Sequence, residues 1–130
     1  MTTAQALSFA DADLQQFLAP ASASQLDALD FGVIGFDAEG VVRRYNRYES
    51  EAAGLSPQRV LGNPLFTVVA PCMNNFLVAQ RFEDVCFLGI ALDATIDYVL
   101  TLCMKPVRVK LRLLAAPGAA LRYVLVRRAV

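Results

Sequence analysis

The chain has 130 residues, of which 56% are hydrophobic and 18% are charged, and 12 Lys+Arg balance 12 Asp+Glu. A chain of this length suits one domain with one core. The balanced charge argues against nucleic acid or an anionic membrane as a partner. The absence of histidine excludes Ser-His dyads, Cys-His dyads and histidine metal sites. An enzyme is therefore the least expected class of protein.

The sequence also indicates where the protein works. The first ten residues lack a basic cluster followed by an apolar run, and no window holds 18 consecutive apolar residues. We therefore expect a cytoplasmic protein without a membrane-spanning helix. Cys72, Cys86 and Cys103 are odd in number and lack the spacing of a zinc site, so a disulfide framework is not expected.

Two short helices are predicted at the N-terminus. Segment 11–18 carries apolar residues at helical spacing, and a second helix begins near Ser22 or Ser24 with leucines on one face. We expect these helices to form a cap, residues 1–28, that packs on a core domain of residues 29–130. We expect the cap to have few apolar anchors, which makes it the part of the protein that is released at the lowest cost.

A β-hairpin and a helix are predicted next. Segments 31–36 and 41–45 are strand-like and flank a turn that contains glycine. Asn46 stands where an N-cap belongs, and segment 47–53 can form a short helix that Gly54 ends as its C′ residue. A helix this short is marginal alone and must be held by packing.

The middle of the chain is predicted to be helical but irregular. The pair Ser56-Pro57 starts another short helix, which Gly62 closes. Two prolines limit segment 63–72 to a short helical turn and a constrained loop. A longer helix is expected from residue 74 or 75 to about residue 88. Its apolar stripe, expected to be buried, comprises Phe76, Leu77, Ala79, Phe82, Val85 and Cys86.

The last forty residues are strand-like. Segment 91–103 is rich in β-branched and aromatic residues, segment 107–113 alternates apolar with basic residues, and segment 121–127 forms the last strand. The predicted fold class is α+β, with one antiparallel sheet of about five strands, helices on one side and the small N-terminal cap. This order of elements is typical of a PAS domain.

From about Leu26 to its C-terminus the chain resembles the photoactive yellow protein family of PAS-fold blue-light receptors. The residues that carry the resemblance are Leu26 to Gly32, Asp37 to Gly40, Tyr45, Asn46, Glu49, Gly54, Pro57 to Gly62, Val69 to Cys72, Asp97, Tyr98, Met104 and Val107 to Leu111.

The resemblance implies a ligand and a signalling role. It implies para-coumaric acid (4-hydroxycinnamic acid) as a chromophore in thioester linkage to Cys72, with the phenolate oxygen held by Tyr45 and Glu49. It also implies that Met104 helps the return to the dark state, and that light produces a signal for a downstream protein. Pro71 would fix the backbone in front of the attachment cysteine.

Two positions depart from the family pattern. Ala53 stands where the family usually has a threonine that supports the tyrosine, and Leu55 stands where it often has an arginine lid. The resemblance therefore implies a more apolar pocket, with a tyrosine that is less firmly oriented.

The residues alone give a more limited reading of the same positions. Cys72 alone would be a buried structural thiol, and Cys86 and Cys103 are expected in the core. Glu49 lies four residues after Tyr45, so the two side chains share a face if the segment is helical. Burial would then keep Glu49 protonated and able to donate a hydrogen bond to a phenolate, so that a bound ring could be anionic without a cationic partner.

Two alternatives to the photoreceptor stay open at this point. One is a PAS module that binds another small apolar ligand non-covalently, near Leu55, Leu100 and Leu102. The other is a ligand-free interaction domain whose apolar excess serves a homodimer face. Haem is disfavoured, since only cysteine or methionine could ligate it.

Overall fold

The computed structural model describes residues 9–10, 14–100 and 106–128. Its helices are α1 (Leu14–Leu18), α2 (Ala23–Asp27), α3 (Arg47–Ala53), α4 (Pro57–Val60) and α5 (Ala79–Leu88), with a π-helical segment at Leu65–Val69 and a 3-10 turn at Pro71–Met73. Its strands are β1 (Gly32–Phe36), β2 (Val42–Tyr45), β3 (Leu92–Leu100), β4 (Val107–Ala115) and β5 (Arg122–Arg128).

The strands form one antiparallel sheet in the order β2-β1-β5-β4-β3. The predicted hairpin is present as the pair β1 and β2, and the last strand, β5, lies between β1 and β4. Val126 at the centre of β5 is opposite Gly32 on one side and Leu111 on the other. The α+β class and the five-stranded antiparallel sheet are confirmed.

Each face of the sheet has its own core. Successive residues of a strand point to opposite faces, so Val124 and Val126 lie on one face and Leu125 on the other. The main core holds Ile34, Phe36, Val42, Tyr45, Val60, Leu65, Val69, Ala70, Met73, Val78, Phe82, Leu92, Tyr98, Leu100, Val109, Leu111, Leu113, Ala115, Val124 and Val126. The cap core holds Phe9, Leu14, Leu18, Leu26, Leu29, Phe31, Val33, Leu114, Tyr123 and Leu125.

The N-terminal cap is attached more firmly than its composition suggests. Leu14 and Leu18 are fully buried in the cap core. Arg44 of β2 donates hydrogen bonds to the backbone carbonyls of Leu18 and Ala21. The expectation of few apolar anchors is therefore wrong, because the three leucines of these short helices are buried in the cap core, although Phe17 is exposed.

Covering the second face changes the burial of β4. The alternation of 107–113 predicted one buried face and one solvated face, with Arg112 on the solvated side. Instead Arg112 is buried, pairs with Asp93 at 2.8 Å and donates to the carbonyl of Phe9 at 2.8 Å. The prediction is wrong at Arg112 because residues from the start of the chain cover that end of the strand.

The long helix starts later and is less buried than predicted. The Asn75 side chain accepts hydrogen bonds from the backbone of Leu77 and Val78, so a turn precedes α5, which begins at Ala79. Of the predicted stripe, Ala79 and Phe82 are buried, Val85 is half-buried, and Phe76, Leu77 and Cys86 are exposed. The core prediction for Cys86 is wrong, and Cys103 lies outside the described residues.

Candidate functional site

The site is built where β2 passes into α3. Tyr45 is the last residue of β2, and Asn46 caps α3 by accepting a hydrogen bond from the backbone N–H of Glu49 at 3.2 Å. The same Asn46 oxygen accepts from the backbone of Val33 at 2.9 Å. The Asn46 side chain therefore fixes the first turn of α3 against β1, and Glu49 in that turn is directed into the protein. The predicted N-cap and the C′ residue Gly54, at φ 72°, are confirmed.

Glu49 forms a buried ion pair that the sequence reasoning missed. Its two carboxylate oxygens accept hydrogen bonds from Arg128 at the end of β5, Oε1 from Nη1 at 2.7 Å and Oε2 from Nη2 at 3.0 Å. The Glu49 side chain is 1% exposed and that of Arg128 is 15% exposed. Such a paired fork is the strongest geometry available to these two groups.

The glycine at the start of β1 makes room for this carboxylate. A Cβ atom at Gly32 would overlap Oε1 of Glu49. Gly32 is not among the glycines with positive φ. Glycine is therefore required here because the Glu49 side chain approaches closely, and not because of the backbone conformation. The position of Glu49 thus depends on three elements: α3, β1 and β5.

Burial and charge act against each other at the ion pair. Burial raises the pKa of the Glu49 carboxyl above its ordinary value of 4.5, and the hydrogen bond and positive charge of Arg128 oppose that rise. Burial acts to lower the pKa of Arg128, but Glu49 outweighs it and the pKa is raised. The sequence reasoning placed no cation beside Glu49, and in the structure Arg128 lies there.

Tyr45 is buried beside this pair, with its hydroxyl weakly engaged. The hydroxyl donates to the backbone carbonyl of Glu49 at 3.5 Å, the outer limit of a hydrogen bond. Burial, and then the negative charge of Glu49, raise the pKa of the Tyr45 phenol. Tyr45 is thus neutral, and its hydroxyl hydrogen is held only weakly by this long bond. The pair is close as expected, but the strand end and the helix turn bring it together, because Tyr45 is not helical.

Cys72 lies in the 3-10 turn Pro71–Met73 as a free, half-buried thiol that packs against the main core. Its backbone carbonyl accepts hydrogen bonds from the Tyr98 hydroxyl at 2.5 Å and from the Asn75 amide at 3.2 Å. The Asn75 amide also bonds the Tyr98 hydroxyl, at 2.6 Å. These two side chains, which sequence reasoning did not assign to the site, fix the backbone that presents the thiol.

The other predicted site residues differ in their burial. Ala53 is buried at the end of α3, Leu55 is half-buried against the main core, and Pro71 is exposed. Met104 and Leu102 lie outside the described residues. The structure therefore brings Tyr45, Leu55 and Cys72 to one core.

Metal and membrane sites are not found in the part of the chain that the structure describes. None of its His, Cys, Asp and Glu side chains form a group of three or more that could hold a metal ion. No helix among the described residues is long and apolar enough to cross a membrane.

Comparison with known proteins identifies the class of this chain. No family model matches it. The PAS domain of the quorum-sensing receptor RpfR from Cronobacter turicensis superposes with a TM-score of 0.60 at 16% identity, over 78% of this chain and 95% of that one. At this identity the likeness shows the fold alone. The chain therefore has the PAS fold, as the order of its elements predicted.

Two more similar proteins identify the family. The photoactive yellow protein of Rhodothalassium salexigens is 32% identical over 125 residues, 94% of this chain and 97% of that protein. The photoactive yellow protein domain of the sensor histidine kinase Ppr from Rhodospirillum centenum is 41% identical with a TM-score of 0.76, over 83% of this chain and 94% of that one. The chain belongs to the photoactive yellow protein family. It is a photoreceptor of the PAS class, and its relatives imply a chromophore.

Proposed function

We propose that the chain is a blue-light receptor that carries para-coumaric acid in thioester linkage to Cys72, with Tyr45 and Glu49 as partners of the phenolic oxygen. The observation that carries the proposal is a buried carboxyl group beside a buried, weakly bonded hydroxyl, at the core against which the Cys72 thiol packs. The family supplies the chemical identity of the ligand.

The residues fit such a ligand. The Cys72 thiol is free and half-buried, and its backbone is held by Tyr98 and Asn75. Ala53 and Leu55 offer apolar surface where the family usually has polar groups, which suits an aromatic ring but leaves the Tyr45 hydroxyl without their support. We therefore expect colour and recovery rate to differ from those of relatives with the polar pair.

The bound chromophore would supply light absorption and the isomerisation of its double bond. Tyr45 and Glu49 would stabilise a phenolate by donating hydrogen bonds to it, which lowers the pKa of the phenol. Once those donors are disengaged, Glu49 would give up its proton to the phenolate oxygen and become a buried carboxylate. Even beside Arg128, a carboxylate formed in the interior carries a desolvation cost of several kcal/mol, comparable with a domain's stability of about 5–15 kcal/mol, so the chain loosens until that charge is hydrated.

The cap, residues 1–28, is proposed to leave the core domain, residues 29–130, in this step and to expose a surface for a downstream signalling protein. Asn46 supports this path, because its side chain bonds both the backbone of Glu49 and the carbonyl of Leu26 in the cap. The hydrogen bonds from Arg44 to the cap must break as well. Met104 is proposed to assist the return to the dark state.

The covalent site is tested by supplying the purified chain with activated para-coumarate. We expect an intact mass higher by one acyl group and a blue-absorbing band that bleaches in light. Both are expected to disappear in Cys72→Ala. The matched control is Cys86→Ala, because Cys86 is the other free thiol among the described residues and is more exposed. Acylation that persists in Cys72→Ala, or no band in the wild type, would contradict the proposal.

The role of Glu49 is tested in the loaded receptor by Glu49→Gln. The amide keeps a donor but has no proton to release, so we expect the absorbance to move to longer wavelength and the light-induced structural change to shrink. Absorption and far-UV circular dichroism spectra in dark and light measure these effects. An unchanged spectrum would remove Glu49 from the site.

A second candidate is a PAS module that binds another small apolar ligand without a covalent bond, or an interaction domain that forms a homodimer. A cavity of about 530 Å³ beside Phe36, Phe66 and Phe82 supports the first form. The exposed Phe87 and Leu88 at the end of α5 support the second. A chain that keeps its bare mass after treatment with activated para-coumarate favours this candidate. Sedimentation equilibrium then distinguishes the homodimeric interaction domain from the ligand-binding module.

A further inference from the structure

The Glu49–Arg128 ion pair differs from the other ion pairs of the described residues. The carboxylate side chains of Asp37, Asp93 and Asp97 are 17%, 54% and 86% exposed in their pairs, whereas that of Glu49 is 1% exposed. Exposed pairs contribute little and are screened by solvent. A buried carboxylate needs its partner, because an uncompensated charge in the interior is strongly disfavoured.

The geometry of the pair indicates which protonation state it holds. Both oxygens of Glu49 accept from Arg128, at 2.7 and 3.0 Å, close to the range of about 2.7–2.9 Å for charge-assisted N–H to carboxylate bonds. A neutral carboxyl carries its proton on one of those oxygens and offers the guanidinium only one good acceptor. The two-bond fork thus fits a carboxylate.

Few other charged groups act on the pair. Tyr45 from β2 and Tyr48 from α3 are the remaining ionisable groups whose charge acts on Arg128 in the described chain. On the other side of Glu49 lies the Gly32 backbone, which carries no charge. The charge of Glu49 is therefore compensated from one direction, by Arg128.

We propose that Arg128 is the counter-ion that holds Glu49 as a carboxylate in the chain without a ligand, and is thereby a positioning residue of the site. Arg128 fixes the side chain of Glu49 and its protonation state together. Loss of the guanidinium would remove the influence that opposes burial, and burial favours the neutral acid.

One consequence rests on the proposed function. A phenolate and the Glu49 carboxylate beside a single guanidinium would leave one uncompensated negative charge in the interior. Glu49 therefore takes up one proton on loading, which the phenol of the incoming acyl group can give up. Arg128 then remains as the cation for the phenolate. Loading of the site is in this way coupled to the protonation of Glu49.

The test uses the ligand-free chain labelled with ¹³C at the glutamate carboxyl carbons. The labelled side chains are Glu39, Glu49, Glu51 and Glu83, and the Glu49 signal is assigned by its loss in Glu49→Gln. In the wild type we expect an ionised Glu49 at pH 7. In Arg128→Gln we expect the acid dissociation constant of Glu49 to fall by roughly tenfold or more.

Arg127→Gln is the matched control, because it removes the same charge from the adjacent, exposed position of β5. It should leave the Glu49 titration at its wild-type midpoint. An unchanged midpoint in Arg128→Gln, or an equal change in Arg127→Gln, overturns the proposal. If Arg128→Gln does not fold, the wild type gives the answer, because a Glu49 that is neutral at pH 7 in the ligand-free chain also overturns the proposal.

The coupling is measured on the same signal after loading with activated para-coumarate. We expect Glu49 to change from ionised to neutral as the acyl group attaches. A Glu49 that stays ionised in the loaded protein overturns the coupling. If no acyl group attaches, the proposed function fails while the ligand-free titration still decides the role of Arg128.

Discussion

On each face of β1 a glycine makes room for a neighbouring side chain, and an arginine on that face donates hydrogen bonds. The two arginines bind different acceptors. On the main-core face, Gly32 leaves room for a side chain that binds Arg128. On the cap face, a Cβ at Gly35 would lie 3.0 Å from the Tyr123 ring and 3.1 Å from Cβ of Arg44. Each face thus combines a glycine with a partly buried arginine.

The difference lies in what each arginine binds. Arg44 donates to backbone carbonyls of the cap, which do not change charge with pH. Arg128 donates to the carboxylate of Glu49, which does. The cap face is therefore held by contacts that depend little on protonation, and the main-core face contains a contact that one proton can break.

The largest effect is expected for Arg128→Met. Removal of one partner of a buried ion pair leaves an unpaired charge and should lower the free energy of unfolding by about 3–5 kcal/mol at pH 8. Burial raises the pKa of Glu49 in the folded chain, and loss of Arg128 raises it further. Urea unfolding between pH 4 and pH 8 measures the effect, with Arg127→Met as the control.

The sign of its pH dependence follows from linkage. A group whose pKa is raised on folding contributes stability that is fully present below its unfolded pKa and lost as the pH rises through its folded pKa. The Arg128→Met variant should therefore recover toward pH 4.5, where Glu49 can be neutral, and fall furthest behind the wild type at high pH. A deficit that is constant across this range would contradict the ion-pair assignment.

Gly32→Ala is expected to have the next largest effect. The new Cβ overlaps a buried carboxylate that is held on its other side by Arg128, so overpacking should cost about 1–3 kcal/mol. Gly35→Ala is the matched substitution on the opposite face and should cost less, because its contacts are only a few tenths of an ångström too close. Thermal unfolding ranks the two variants, and the reverse order would contradict this account of the strand.

Arg44→Met should have the smallest effect on global stability and a local effect on the cap. The loss of hydrogen bonds to two backbone carbonyls should cost about 1–3 kcal/mol, at the lower end because Arg44 is only half-buried and water can replace it. Amide hydrogen exchange in α1 and α2 should accelerate. The change in stability should be the same from pH 5 to pH 8. A strong pH dependence would contradict the claim that the contacts of Arg44, unlike that of Arg128, depend little on protonation.

Local signals made much of the fold predictable. The hairpin of β1 and β2, the cap Asn46 and the end of α3 at Gly54 depend on residues close in sequence, and all are confirmed. Burial on α5 was not predictable, because an apolar stripe does not reveal how much of it other elements cover. Cys86, a member of the predicted stripe that lies on α5, is exposed for that reason.

The candidate site was predictable in part. The closeness of Tyr45 and Glu49 was predicted from helical spacing, although the end of β2 and the first turn of α3 bring them together, whereas Arg128 is 79 residues from Glu49 in sequence. Its position depends on β5 pairing with β1, which no local pattern indicates. One signal was available: Arg128 shares the parity of Val124 and Val126, so a buried face for those valines directs the arginine into the same core.

The Asn46 amide has a kinetic consequence. Its oxygen accepts from the backbone of Val33 and Glu49, and its nitrogen donates to the carbonyls of Leu26 and Phe31. An amide side chain offers two donor hydrogens and an oxygen with two lone pairs, so this group has no capacity left for water. The four bonds are expected to open together, and the backbone amides of Val33 and Glu49 should exchange with solvent as one cooperative unit, at the same rate and with the same dependence on denaturant.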